Sequence, residues 1–210
     1  MEQQTDTTGT DRRMGTASRM APALQRYGIL IALAVLCIVL SVVSENFLTS
    51  RNIINVLRQT SINGILAVGM TFVILTRGID LSVGSVVALV GVVSASFATT
   101  SAAGVAGAPY MPLIPVAVGL LTGMAVGSVS GIAVARFSVP AFVATLGMLS
   151  AARGLTLIYA GGRPIPALTD GYRWIGTGDI GGIPVPIILF GLVFAIAHFV
   201  LTRTRFGRHV

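Results

Sequence analysis

Six apolar runs, each close to the length of a bilayer crossing, constrain this chain more than any other feature. A helix needs about 20 mostly apolar residues to span the hydrocarbon layer. Runs of that kind lie near residues 26–44, 57–76, 82–101, 113–134, 141–160 and 184–202. In lipid, only helices and closed barrels pair all of their backbone polar groups, and runs this long read as helices. The sequence therefore predicts an all-α fold, a polytopic transmembrane helical bundle with about six spans. A charged content of 10% excludes an ordinary soluble domain, in which about a quarter of the residues are charged.

The basic residues carry two further exclusions. The formal charge is +7, and every cation is an arginine, because the sequence has no lysine. A phosphate-binding P-loop requires its lysine, so ATP has to be bound by partner subunits and no cofactor is expected in this chain. The arginines are dispersed over segment ends rather than gathered in a stripe with interleaved aromatics, which argues against nucleic acid as a partner. They fit membrane orientation instead. Arg12, Arg13, Arg19 and Arg26, then Arg77, Arg136, Arg203, Arg205 and Arg208, fall on one side of the expected spans. Arg51, Arg58, Arg163 and Arg173 fall on the other. That excess predicts a cytoplasmic amino terminus. The single cysteine, Cys37, sits among Leu36, Ile38 and Val39 as an apolar filler, and no metal site is expected.

Residues 1–25 read as a disordered cytoplasmic tail, followed by a transmembrane domain over 26–210. The link from Glu45 to Gln59 alternates apolar and polar residues and predicts a short interfacial helix on the outer face. The segment Gly161 to Gly182, with Tyr172 and Trp174, predicts an irregular outer loop with its aromatics at headgroup level.

Leu75 to Val86 is the one place where charge and hydroxyls interrupt membrane-type sequence: Leu-Thr-Arg-Gly-Ile-Asp-Leu-Ser-Val-Gly-Ser-Val. Such groups are costly in lipid unless the backbone breaks where water or protein partners are available. Two readings stand side by side. Asp80 and Ser82 cap the helix that follows, or the break belongs to a solute path or gate. The candidate path residues are Thr76, Asp80, Ser82 and Ser85, then Thr145 and Arg153 in the fifth span. Arg153 has to face protein or water or snorkel to an end, and Asp80 is one candidate partner. Gly119, Gly123, Gly127 and Gly131 recur every fourth residue in the fourth span, making a smooth helix face for close packing, first of all within the subunit. His198 reads as an interfacial histidine, since its span carries no acidic residue.

The stretch Thr76-Arg-Gly-Ile-Asp-Leu-Ser-Val-Gly-Ser resembles the signature of the ribose/xylose-type monosaccharide permeases, membrane subunits of bacterial ATP-binding-cassette (ABC) importers. Val139-Pro-Ala-Phe-Val-Ala-Thr-Leu-Gly-Met, Ala152-Arg-Gly-Leu-Thr-Leu-Ile-Tyr and Thr202-Arg-Thr-Arg-Phe-Gly-Arg agree with it in order. Arg77 departs from the pattern, which often has a small residue there. The resemblance implies sugar import across the bacterial inner membrane. Its implied partners are cytoplasmic ABC ATPase subunits, an extracytoplasmic sugar-binding protein, a second permease copy in a homodimer, and membrane lipid. It also implies a coupling segment and further spans after the last residue, so that the chain would lack the C-terminal third of such a permease and be a non-transporting fragment by itself. A membrane-embedded enzyme is the weaker alternative, because catalysis needs convergent acids, bases or nucleophiles and no catalytic residues converge in the pattern.

Overall fold

The computed structural model describes residues 17–100 and 112–209, with side chains from Tyr27 on. Among the described residues eight helices follow one another: α1 (Ala17–Val43), α2 (Ser50–Leu75), α3 (Val83–Ala98), α4 (Leu113–Phe137), α5 (Ala141–Ala160), α6 (Asp170–Thr177), α7 (Val185–Arg203) and α8 (Arg205–His209). Six of them coincide with the six expected spans, so the bundle is helical as the apolar runs require. Among the described residues α4, α5 and α7 are long and apolar enough to cross a membrane, and Tyr27–Val43 and α3 are shorter apolar helices. Large apolar side chains lie open on these helices, with Ile29 87% and Ile158 80% exposed. A soluble monomer does not leave contiguous faces of that kind in water; in a multi-pass membrane protein lipid tails or other spans cover such faces.

The chain divides into two compact units, one ending at Asn55 and one beginning at Val56. In the first, α1 begins at Ala17, inside the segment expected as a tail; residues 1–16, and the side chains of all four tail arginines, lie outside the described residues. The expected interfacial helix over 45–59 is not a separate element. Residues 45–48 form turns, and α2 starts at Ser50 and runs unbroken through the interval. The reason is local. The Thr49 hydroxyl accepts from the Asn52 amide at 3.3 Å, the bond of an N-cap residue to the third helical position. After that cap, no glycine or proline precedes Gly64 to stop the helix.

In the second unit α3 lies between α4 and α5 and makes most of its helix contacts with them. α4 and α5 form a tight hairpin: Ser138 takes a left-handed conformation (φ +54°) after the last turn of α4, and Pro140 precedes the first residue of α5. The connection between α5 and α7 is more ordered than expected. It contains α6 and a two-stranded hairpin, β1 (Asp179–Ile180) with β2 (Ile183–Pro184), paired Asp179 to Pro184 and Ile180 to Ile183. Gly181 (φ +59°) and Gly182 (φ +84°) turn it, and two positive-φ residues in a two-residue loop match strand twist. On the far side of the unit Phe190 of α7 sits against Gly64 of α2, where an added Cβ would come to 2.6 Å from the ring.

Candidate functional site

The interruption between α2 and α3 is real and short. α2 ends at Leu75, Gly78 to Ser82 have no regular structure, and α3 starts at Val83. The α2 end is a Schellman motif: the Gly78 amide donates to the Val73 carbonyl and the Arg77 amide to the Ile74 carbonyl, both at 2.9 Å. Arg77, not a glycine, occupies the left-handed position (φ +60°). Because a side chain there costs about 1 kcal/mol, Arg77→Gly should stabilise the protein by about that amount, read as a raised unfolding midpoint in detergent. An unchanged or lowered midpoint would mean that the guanidinium supplies more than the backbone loses.

Each expected site residue has a definite place. The Thr76 hydroxyl donates to the Val73 carbonyl at 2.8 Å and so completes the last turn of α2. Asp80 Oδ1 accepts twice from Ser82, from its amide at 2.8 Å and its hydroxyl at 2.6 Å. This is an Asx turn rather than a cap on the first turn: Ser82 is the N-cap residue by backbone position, and its hydroxyl is spent on Asp80. Ser82 and Ser85 are both buried. The hydroxyl of buried Thr145 donates to the Ala141 carbonyl at 2.8 Å and lies 3.3 Å from the Ile79 carbonyl. Thr145 thus ties α5 to the break one residue before Asp80.

Arg153 does not join them. It stands on an exposed face of α5, eight residues and so about 12 Å along the helix from Thr145. Helical rise thus keeps Arg153 apart from Asp80, one of the candidate partners open to it by sequence. Arg173, in α6, pairs with Asp170 at 3.9 Å.

The glycine face of α4 is only half used. A Cβ on Gly119 would meet Ser94 at 3.3 Å and one on Gly123 would meet Val90 at 3.5 Å, whereas Gly127 and Gly131 face open space. α3 touches the first two rungs of the stripe and, although it continues from Val90 back to Val83, does not touch the last two.

A second polar cluster, which the sequence did not single out, holds the other end of α3. Ser94 donates to the Pro115 carbonyl of α4 at 2.6 Å and accepts from the Tyr172 hydroxyl of α6 at 2.8 Å. Ser96 donates back to the Val93 carbonyl at 2.7 Å and accepts from the Tyr159 hydroxyl of α5 at 2.7 Å. Beyond them Thr99 pairs with Leu168 in an isolated antiparallel bridge, and its hydroxyl donates to the Pro166 carbonyl at 2.6 Å. Three successive levels of α3 thereby hold α4, α5 and the connection that follows α5. Tyr172, expected as an aromatic anchor at headgroup level, spends its hydroxyl inside the protein. The available signal was the run of hydroxyls Ser94, Ser96, Thr99 and Thr100 at the end of an apolar helix, since buried polar groups require partners.

A family profile described as "Branched-chain amino acid transport system / permease component" matches residues 52–210. The chain is 45% identical over 185 residues to the ribose import permease protein RbsC of Escherichia coli K12, covering 86% of this chain and 55% of that protein. It is 35% identical over 187 residues to the L-arabinose ABC transporter permease protein AraH of Azospirillum brasilense, covering 89% and 53% respectively. With the D-allose transport system permease protein AlsC of Escherichia coli K12 the identity is 34% over 186 residues, covering 88% and 55%. The chain thus spans about half the length of the curated relatives it matches, less than the resemblance implied. No solved structure matches it.

Proposed function

We propose that this chain, which belongs to the branched-chain amino acid transport system / permease component family, supplies part of the membrane path of an ABC importer for a monosaccharide, a pentose or hexose. The observation that carries the reading is the set of relatives: permeases named for ribose, L-arabinose and D-allose, at 34–45% identity over most of the chain. The family description names amino acids, but the individual relatives share aldose sugars. Members of this family are permease components rather than enzymes. In this reading the chain lies in the bacterial inner membrane with its amino terminus cytoplasmic, and ATP is bound by cytoplasmic ATPase subunits. An extracytoplasmic binding protein delivers the sugar to one face. A second permease copy completes the path.

Within that path the break between α2 and α3 is the element we assign to gating. Its backbone is non-helical from Gly78 to Ser82, where Asp80 holds Ser82 and Thr145 reaches the Ile79 carbonyl, and non-helical backbone inside a transporter is tolerated where it is buried in protein or lines a cavity. Asp80 holds Ser82 through two bonds, so removing it frees the start of α3 without removing apolar packing. The test is uptake by cells carrying the protein with its ATPase and binding-protein partners. Labelled ribose, arabinose and allose compete there against a labelled branched-chain amino acid. Energy-dependent sugar uptake is expected, and uptake of the amino acid alone would overturn the sugar reading. Asp80→Ala is expected to lower uptake by about tenfold, the effect of about 1.4 kcal/mol, at nearly unchanged membrane abundance. Uptake that falls only in step with abundance would make Asp80 a structural turn.

A further inference from the structure

α3 and α4 flank an open cavity of about 990 Å³ with α6 at one end. Val86 and Gly91 of α3 and Leu120 and Met124 of α4 are among its walls, and Tyr172 and Arg173 belong to its roof. The cavity has almost no unused hydrogen-bonding capacity. Ser94 has already donated to the Pro115 carbonyl and Tyr172 to Ser94, so a sugar entering it would exchange water for apolar walls and find no partner below Arg173. Such a lining suits an apolar chain with a charged head at Arg173.

Depth and charge separate the apolar occupants. The lining extends from Val86 to Ser94 on α3 and from Val116 to Met124 on α4, a rise of about 12 Å on each helix. The hydrocarbon core is about 30 Å thick. A transmembrane helix seated here would have to continue past both ends, and α6 stands across one of them. A lipid tail occupies a single leaflet, which fits a pocket of this depth. At the roof, the Arg173 side chain is 61% exposed and its only ion-pair partner, Asp170, is fully exposed at 3.9 Å. A phosphate would engage that guanidinium by a stronger, charge-assisted contact.

We propose that the α3–α4 cavity binds one acyl chain of an anionic phospholipid whose headgroup phosphate pairs with Arg173. The lipid fills the groove beside the contact of α3 with Gly119 and Gly123 of α4, both of which line it, and it braces α6 from the membrane side. The proposal rests on the chain's place in the membrane and not on transport, so the two readings stand or fall separately.

Native mass spectrometry tests it. The purified protein is reconstituted in equal phosphatidylglycerol and phosphatidylcholine and then stripped with detergent. One phosphatidylglycerol is expected to persist. A Cβ at Gly91 or at Gly176 meets nothing within 4 Å, so Gly91→Phe starts from open space, and Gly176→Phe enters the same cavity from the roof if the first variant fails to accumulate. Either is expected to lower retention at least about tenfold, or about 1.4 kcal/mol. Gly127→Phe, on the open part of α4, should leave it unchanged. Arg173→Gln should keep a lipid bound but erase the preference for phosphatidylglycerol. A wild-type protein without a retained lipid would overturn the proposal, as would equal retention in the Gly91→Phe and Gly127→Phe proteins.

Discussion

Gly119→Val is expected to destabilise the protein by about 3 kcal/mol, the upper part of the range for overpacking a close contact, while Gly127→Val leaves stability within about 0.5 kcal/mol. The two glycines look equivalent in sequence, eight residues apart on one helix face. They differ in what stands opposite. The first Cβ at 119 would press on the Cβ and hydroxyl of Ser94 at 3.3 Å and on Val90 at 3.4 Å, and neither neighbour is the free end of a flexible side chain. The branched carbons of valine add to that, forcing α4 away from α3 and stretching the bond from Ser94 to the Pro115 carbonyl. At 127 nothing lies within 4 Å, and valine has a somewhat better helix propensity than glycine. Unfolding midpoints of both variants in one detergent decide the matter. Equal midpoints would mean that α3 and α4 do not pack through the upper half of the stripe.

Ser94→Ala is expected to cost about 2 kcal/mol, because it removes two bonds worth about 1 kcal/mol each and leaves buried groups without them. The Tyr172 hydroxyl loses its acceptor and the Pro115 carbonyl loses a donor in one substitution. Tyr172→Phe alone should cost about half as much, since Ser94 keeps its bond to α4. The double variant should be less destabilised than the sum of the two, because residues sharing one bond are coupled. A second readout separates loosening of α6 from general unfolding. Trypsin should cut faster after Arg163 and Arg173 in both single variants, before the helices are lost. Additive losses with unchanged cleavage would show that the Ser94–Tyr172 bond does not hold the connection down.

The gating assignment of Asp80 bears on the start of α3, and the lipid assignment on its stretch from Val86 to Ser94. At 16 residues it rises about 24 Å, too little to cross the hydrocarbon core alone, so each end is finished by polar backbone that side chains must satisfy. Asp80, Ser82 and Thr145 do this at one end, and Ser94, Ser96, Tyr159 and Tyr172 at the other.

The sequence by itself determined the class of the fold and where the helices run, because in lipid a run of apolar residues has one way to pair its backbone, and that is within itself. It also marked the break at Leu75–Val86, since an arginine and an aspartate between apolar runs leave few other structures available. Relations between segments were not legible in it. Single-segment composition cannot tell Gly119 from Gly127, or show that Arg153 stands two turns from the Asp80 turn rather than beside it. Nor can it show that Tyr172 reaches back across 78 residues to Ser94. Those outcomes depend on which helix faces meet and at what height, and packing in a bundle is fixed by the steric fit of small residues and by a few long-range hydrogen bonds. The tertiary structure alone decided them: it set α3 between α4 and α5 and used half of the glycine stripe.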